Sequence, residues 1–452
     1  MINPWTVRHV VYPWVFPLLK RAPGRRIMRL VERWEEQSRW PPERHAEESL
    51  RRIQGLVRHA FENVPLYREK YRAAGVEPGD IRTWEDFSRL PRLTRDDLHG
   101  DREHILAGNV AARDRQFHHS SGSTGVPATF WIDRERASLI FANYHLNMRW
   151  IGSEVGERQA WLWPDQRGPR GRGTRLRRFQ MRLLNRIFLI SPTLDDEPMA
   201  YFHRRLTRFR PELLVSFPTR MAYFLRFCRR HGLSVPQIPR LLSTGETLHD
   251  HQRTDFAEAF GAEVYDRYGS IELGDIAHEC TAHEGLHINS HRVNVETVPV
   301  EGLDGDQGMM VITDLDNLAT PFIRYECGDI GQLWPEGTRH ACPCGRTLPR
   351  LVRVLGRVRD AIESPSGRVY SRVVYSRVAR EIPGIRLHQI IQRPPNTLVY
   401  RCQVDSEFPE DGRELIARVF AEKTDHEFQI EVEVVDHLEM TPSGKLKMLI
   451  RE

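Results

Sequence analysis

The chain has 452 residues, 40% of them hydrophobic and 28% charged, with a formal net charge of +5. That length exceeds one ordinary core and predicts two or three domains, while so small a net charge gives no argument for a nucleic-acid binder. Six unevenly placed cysteines do not make a secreted disulfide framework and point to the cytoplasm, and no run approaches the roughly 20 apolar residues of a membrane helix. The first hundred residues read as helical. Val10 to Leu19 is apolar but short and broken by two prolines. It reads as an N-terminal arm packed on the body; the alternative is peripheral membrane contact helped by Lys20, Arg21, Arg25 and Arg26. His45 to Val64 carries apolar residues at helical spacing.

The run SSGSTGVPATF, Ser120 to Phe130, comes next. It packs hydroxyls and two glycines into Ser120, Ser121, Gly122, Ser123, Thr124 and Gly125. The β-leaning runs RQFHH and ATFWI flank it. Glycine lets backbone N–H groups approach oxygen atoms, and Ser and Thr add hydroxyl donors, so the loop suits a polyphosphate. It lacks the lysine of a Walker loop.

From Gln116 onward short β-rich runs alternate with helices: WLW at Trp161, LLVSF at Leu213, RLLST at Arg240 and AEVYDRYG at Ala262. Amphipathic helices TRMAYFLRFCRRHG and HDHQRTDFAEAFG lie between, each closed by a glycine. The pattern predicts an α/β fold of layered, largely parallel sheets. Gly168 to Arg178 is an Arg/Gly-rich loop. Between Gly285 and Leu333 the strands become closely spaced, as in a small antiparallel or barrel-like β layer. After Val354 to Ile362 the composition restarts as helix, two strands, helix and strand, a compact α+β unit of ferredoxin-like order. The boundary near Gly356 predicts an N-terminal domain over 1–356 and a C-terminal domain over 357–452.

Five further segments bear on the loop: LLSTGE ending at Glu246, YDRYGSIELG from Tyr265, PFIRYECGDI from Pro321, LGRVRD ending at Asp360, and TPSGKLK from Thr441. In this order and at these separations they resemble the adenylate-forming superfamily of acyl-CoA synthetases and adenylation domains, most of all its phenylacetate–CoA ligase branch with the CapK-like members. The resemblance runs from about Leu50 to the end. It implies ATP-dependent activation of a carboxylic acid to acyl-AMP with pyrophosphate release, then transfer to the thiol of CoA. The acid it implies is aromatic or medium-sized.

The same resemblance distributes the roles. Ser120 to Gly125 would hold the β- and γ-phosphates, with Thr124 in the catalytic set beside Glu272 and Lys445. Glu272 would hold Mg²⁺, a hard ion that prefers carboxylate oxygen; the alternative is a solvated glutamate at a helix start. Tyr268 would offer a flat face to adenine, or else be a core tyrosine. Ser243, Gly245, Glu246, Asp266, Gly269 and Ser270 complete the nucleotide set. Asp329 would accept the ribose hydroxyls, and Arg357 would touch the nucleotide. Trp161, Phe217, Pro218 and Ser243 would form the acyl pocket. Asp360 stands where the superfamily has its hinge, about which the small domain would carry Lys445 to and from the α-phosphate. Lys447 competes with Lys445. One departure is that Glu326 and Cys327 stand where many members carry a basic residue; Arg324 is the nearest substitute.

Cys342-Pro343-Cys344 brings two thiols together, and HECTAHEGLHI adds Cys280, His283 and His287. Cys280, His287, Cys342 and Cys344 would form a structural tetrahedral Zn²⁺ site pinning the antiparallel layer to the main sheet. His287 is preferred over His283 because it sits in a β-like run. The alternative is two unrelated clusters of reduced cysteines. Expected partners are therefore a small carboxylic acid and CoA or an acyl carrier protein, with no nucleic acid and no transmembrane segment; a homodimer is compatible. Adenylation with an amine or carrier-protein acceptor is the variant reading. A zinc-stabilised basic nucleic-acid-binding protein is the competing class, and it leaves the ordered Glu272, Asp329 and Lys445 unexplained.

Overall fold

A computed structural model describes residues 3–7, 9–11, 24–119, 128–163, 179, 181–191, 194–300, 303, 307–335, 342–357, 362–370, 372–436, 438 and 446–452. The chain divides into two compact units. The first is Met1–Glu296, Val311–Cys327 and Trp334–Val352; the second is Thr297–Met310, Gly328–Leu333 and Arg353–Glu452.

In the first unit β1 (Arg115–His119) and β2 (Thr129–Asp133) pair antiparallel on either side of the Ser/Thr/Gly loop. The main sheet begins with β3 (Gln159–Trp163), β4 (Arg186–Ile190), β5 (Leu213–Ser216), β6 (Arg240–Thr244) and β7 (Glu263–Ser270). These five are parallel in the order β4-β3-β5-β6-β7. β8 (Gly274–His278) and β9 (Leu286–Ile288) continue it antiparallel. Strands β10 (Val293–Val298), β11 (Gln307–Asp314), β12 (Tyr325–Leu333) and β13 (Arg350–Arg357) follow in the chain; Arg350 and Leu351 pair with β9.

The parallel strands are covered on both faces, which is why Leu213-Leu214-Val215 and Leu241-Leu242 are apolar without alternation. On one face, helices Asp196–Phe209, Pro218–Arg230 and Asp250–Phe260 bury Phe202, Phe224 and Phe260 against Leu162, Leu214 and Leu241. Each such side chain contributes roughly 1.5–3 kcal/mol. On the other, helix Arg134–Trp150 sets Tyr144 and Met148 against Val215, Leu242 and Tyr265. The helix Asp250–Phe260 ends at Gly261 in the left-handed region, and Gly232 follows the end of Pro218–Arg230, as the two terminal glycines predict.

The second unit ends in a four-stranded sheet of β16 (Ile385–Arg393), β17 (Thr397–Val404), β18 (Gln429–Val434) and β19 (Leu449–Arg451), after the short pair β14 (Ile362–Glu363) and β15 (Val369–Tyr370). The order is β18-β17-β16-β19: an antiparallel β16–β17 hairpin flanked by parallel partners on each side. Tyr375, Val378, Ile416 and Phe420, from helices Arg372–Glu381 and Gly412–Lys423, pack with Ile390, Leu398 and Tyr400 in its core. Among the described residues no helix is long and apolar enough to cross a membrane.

Candidate active site

The carboxyl ends of β5, β6 and β7 lie side by side in the parallel part of the sheet, the place where open α/β sheets bind ligands. Three of the segments singled out in the sequence leave from these ends. After β5 come Phe217 and Pro218, the latter opening helix Pro218–Arg230. Phe217 is buried, and the ring of Trp163 meets it edge-on at 4.9 Å. Trp161 stacks on Phe188 at 5.3 Å and lies 5.6 Å from Trp163. An aromatic run therefore crosses β4, β3 and the end of β5; Trp163 and Phe188 join Trp161 and Phe217 there without having been singled out by any motif.

After β6, Gly245 has φ +76°, and a Cβ there would stand 2.4 Å from the Phe217 ring, so glycine alone fits this turn. Glu246 points its carboxylate at the start of the next helix. It accepts hydrogen bonds from Thr219 N at 3.1 Å and Thr219 Oγ1 at 2.6 Å. Its side chain thus acts as a helix cap. The neighbouring Arg220 is buried, and burial lowers its guanidinium to about 10 against the opposing charge of Glu246.

Ser243 in β6 stands between Ser216 and Asp266 across the sheet. Burial, then the charge of Glu279, raises the Asp266 carboxyl to about 7 from an ordinary 3.8. Glu279 also accepts from Asp266 N at 2.7 Å and pairs with Arg253 at 2.7 Å. A raised carboxyl pKa means that the folded state favours the protonated form. Its stabilising contribution is complete below about 4 and is lost as pH rises through 7. Asp266→Asn should therefore raise thermal stability at pH 8, by on the order of 2–4 kcal/mol, and change it little at pH 4. Melting curves at both pH values check this; equal shifts at both would contradict it.

At the end of β7 the Tyr268 hydroxyl lies 3.6 Å from the Cys327 thiol, and the ring stays partly exposed rather than sinking into the core. The β7–β8 register slips between Tyr268 and Gly269. A Cβ at Gly269 would lie 2.5 Å from the Gly274 carbonyl, so the slip needs glycine. Ser270 Oγ accepts from Leu273 N at 3.1 Å and closes the turn that presents Glu272. Below the turn, buried Arg136 donates to the Glu272 carbonyl at 2.7 Å.

In the second unit Asp329 and Arg357 form an ion pair at 3.3 Å. Arg324 is engaged elsewhere: it is buried, has φ +49°, pairs with Glu296 at 3.1 Å and donates to the Leu90 carbonyl at 2.5 Å. Glu326 pairs with Arg92 at 2.9 Å. Lys447 is described; its carbonyl accepts from Gln389. Ser120 to Gly125, the arginines of 167–178, Asp360 and Lys445 lie outside the described residues, as does most of Val10–Leu19, of which Val10 is exposed and Val11 buried.

The four expected metal ligands converge. Cys280, His287, Cys342 and Cys344 place their ligand atoms within 4.8 Å of one another. Cys280 Sγ and Cys342 Sγ are 3.6 Å apart, and Cys344 Sγ is 3.3 Å from His287 Nε2. A tetrahedral zinc with Zn–S near 2.3 Å and Zn–N near 2.0 Å would give edges of roughly 3.8 and 3.5 Å, so the donor set and spacing fit that ion. The thiols share hydrogen bonds unequally: Cys344 is drawn towards the thiolate by Cys280 and His287, while Cys280 and Cys342 are pushed up. His283 instead has φ +54°, stacks on Tyr265 and approaches Glu279 at 3.6 Å.

The cluster shares a core with Val7, Val11, Ile27, Val31, Trp34 and Trp150. Glu35 accepts from Arg346 at 2.9 Å and from the Trp150 indole at 3.1 Å, and Thr347 N donates to the Ser38 carbonyl at 3.0 Å. The cysteine loop thus grips helix Gly24–Gln37, a contact between residues 311 apart that no local pattern announces.

A crystal structure of 2-hydroxyisobutyryl-CoA ligase in the postadenylation state superposes with a TM-score of 0.76 at 20% identity, covering 92% of this chain and 91% of that one. The fold is that of the adenylate-forming CoA ligases. Phenylacetate-coenzyme A ligase of Thermus thermophilus is 27% identical over 77% of this chain and 78% of its own length. Protein CapK of Staphylococcus aureus is 21% identical over 88% of this chain and 87% of its own. Residues 362–452 match the family model of the CapK C-terminal domain. The chain is thus similar over most of its length to phenylacetate–CoA ligases and to CapK, and its last ninety or so residues match the CapK C-terminal domain family.

Proposed function

We propose that the protein is an AMP-forming acid–thiol ligase that activates a carboxylic acid with ATP and passes the acyl group to CoA. The observation that carries this is the meeting of Phe217, the Ser243–Glu246 turn and the Tyr268–Glu272 turn at three adjacent strand ends. In the first step a carboxylate oxygen attacks the α-phosphorus of ATP, and the bond to pyrophosphate breaks. In the second the CoA sulfur attacks the acyl carbon, AMP leaves, and the thiol proton passes to solvent. Tyr268 carries adenine on its exposed face, Asp329 takes the ribose hydroxyls, and the loop from Ser120 to Gly125, with Thr124, holds the outer phosphates. The aromatic run of Trp161, Trp163 and Phe217 favours a planar or medium-sized apolar acid.

Glu272 would hold Mg²⁺, which supplies charge neutralisation at the phosphates when bound. Cys280, His287, Cys342 and Cys344 would hold a structural Zn²⁺. The domain division falls near Gly356, with Asp360 as the hinge and Lys445 carried on the C-terminal domain. Six free cysteines, none of them in a disulfide, agree with a reducing cytoplasm.

A second reading keeps the first step and changes the acceptor to an amine or a carrier-protein thiol. What favours it is the similarity to a fumarate–(S)-2,3-diaminopropanoate ligase of Enterobacter agglomerans, an acid–amine ligase by name, which is 28% identical over 34% of this chain and 38% of its own length. The test is pyrophosphate release from ATP and Mg²⁺ across arylacetic, benzoic, hydroxy and fatty acids, with and without CoA. Acid-dependent release is expected, with thioester formed when CoA is present. Silence across the panel would overturn the first step, and release without thioester would favour the second reading.

A further inference from the structure

The β7–β8 turn that presents Glu272 rests on buried positive charge. Arg136 is 1% exposed and Arg292 is 0% exposed. Arg136 Nη2 donates to the Glu272 carbonyl at 2.7 Å and pairs with Asp314 at 2.5 Å, both side chains of the pair being wholly buried. Arg292 pairs with Asp316 at 2.6 Å, and Arg52 reaches the same carboxylate at 2.8 Å. Asp314 also accepts from Asp316 N at 3.0 Å, which joins the two pairs into one network. A Cβ at Gly274 would come within 3.3 Å of Arg292 Nη1, so this second guanidinium lies against the same turn.

The network buries more donors than its carboxylates accept. The buried Arg136 and Arg292 face Asp314 and Asp316 one to one, Asp133 also acts on Arg136, and Arg52, a quarter exposed, adds positive charge at the edge of the network. The ion pair Arg267–Asp275, at 3.3 Å nearby, is neutral in itself. Arg136 Nε and Nη1 and Arg292 Nη1 and Nη2 are buried without a hydrogen-bond partner. Burying two ion pairs with orphaned donors is costly to a fold that needs only a rigid turn, because an apolar or neutral replacement holds a turn more cheaply. The cost makes sense where a polyanion and its cation are received beside the turn: fixed dipoles and charge placed in advance lose nothing to reorganisation when the ligand arrives.

We propose that Arg136 is a positioning residue for the adenylation step, setting the Glu272 turn for the metal–nucleotide and biasing the local field towards the phosphates, with Arg292 as its buried support. This rests on the reading of Glu272 as the Mg²⁺ ligand. The sequence places Arg136 in the first turn of helix Arg134–Trp150, 136 residues before Glu272 and 178 before Asp314, so no local motif announces it.

The experiment compares wild type, Arg136→Gln and the double variant Arg136→Gln/Asp314→Asn, which removes both charges of the pair and so guards against a mere folding failure. Binding of Mn²⁺–ATP is followed by electron paramagnetic resonance, alongside pyrophosphate release as a function of Mg²⁺. The expected result is that both variants bind Mn²⁺–ATP about 10-fold or more weakly. Their Mg²⁺ dependence should move to higher concentration and kcat should fall by about 10²-fold, the usual cost of losing one fixed donor. A folded double variant with wild-type Mn²⁺–ATP affinity and wild-type Mg²⁺ dependence would overturn the proposal, even if its melting temperature had dropped. Wild type that neither binds Mn²⁺–ATP nor releases pyrophosphate would instead overturn the underlying assignment of Glu272.

Discussion

Lys445→Ala is expected to slow acyl-adenylate formation by about 10²-fold or more while leaving thiol transfer from a preformed acyl-adenylate within a few-fold of wild type. The carboxylate of the acid and the α-phosphate of ATP repel each other as they approach. An ammonium on a long stem can lower that barrier and then withdraw. On the proposed reaction the lysine is needed only while two anions are being joined. Pyrophosphate release reports the first step, and thioester formation from synthetic acyl-adenylate and CoA reports the second. Equal losses in both would remove Lys445 from the role. Lys447→Ala is the control, and it should leave the first step nearly unchanged.

Cys342→Ser is expected to abolish zinc binding and lower the melting temperature on the order of 5–10 °C, since loss of a closed structural metal removes several kcal/mol. The effect should reach beyond the metal. The cysteine loop also carries Arg346 and Thr347, which hold Glu35 and Ser38 at the end of helix Gly24–Gln37. Hydrogen exchange of residues 24–38 should therefore accelerate in Cys342→Ser, and in wild type after chelation. Metal analysis by mass spectrometry on protein purified without chelator should give one zinc per chain. Protein that carries no zinc, or a variant with unchanged exchange in that helix, would contradict this account.

The strands and the Cys/His cluster around the candidate site could be read from the residues because their signals are local. The parallel strands announced themselves through unbroken apolar runs such as Leu213 to Val215, which only a sheet covered on both faces permits. The Cys/His cluster was legible because only Pro343 separates Cys342 from Cys344 and His287 lies in a strand of fixed direction, whereas His283 sits on a left-handed turn beside Glu279. The role of Gly245 followed from its turn, but the reason for it, the ring of Phe217, belongs to another strand.

What stayed hidden depends on distance along the chain. The bond from Thr219 to the Glu246 carboxylate joins residues 27 apart in the chain. Arg136 and Asp314 are 178 residues apart, and Glu35 and Arg346 are 311 apart. Ion pairs of that kind leave no periodicity or spacing in the sequence. Likewise the departure at Glu326 and Cys327 reads as a missing cation. In the folded chain Glu326 serves Arg92 and Cys327 faces the Tyr268 hydroxyl.

Activation of the acid as an acyl-adenylate can be followed with the active acid of the panel labelled with ¹⁸O in its carboxylate. If a carboxylate oxygen attacks the α-phosphorus, acyl transfer leaves that oxygen behind, and the released AMP should carry one ¹⁸O while pyrophosphate carries none. AMP without label, or label appearing in inorganic phosphate alongside ADP, would contradict the account.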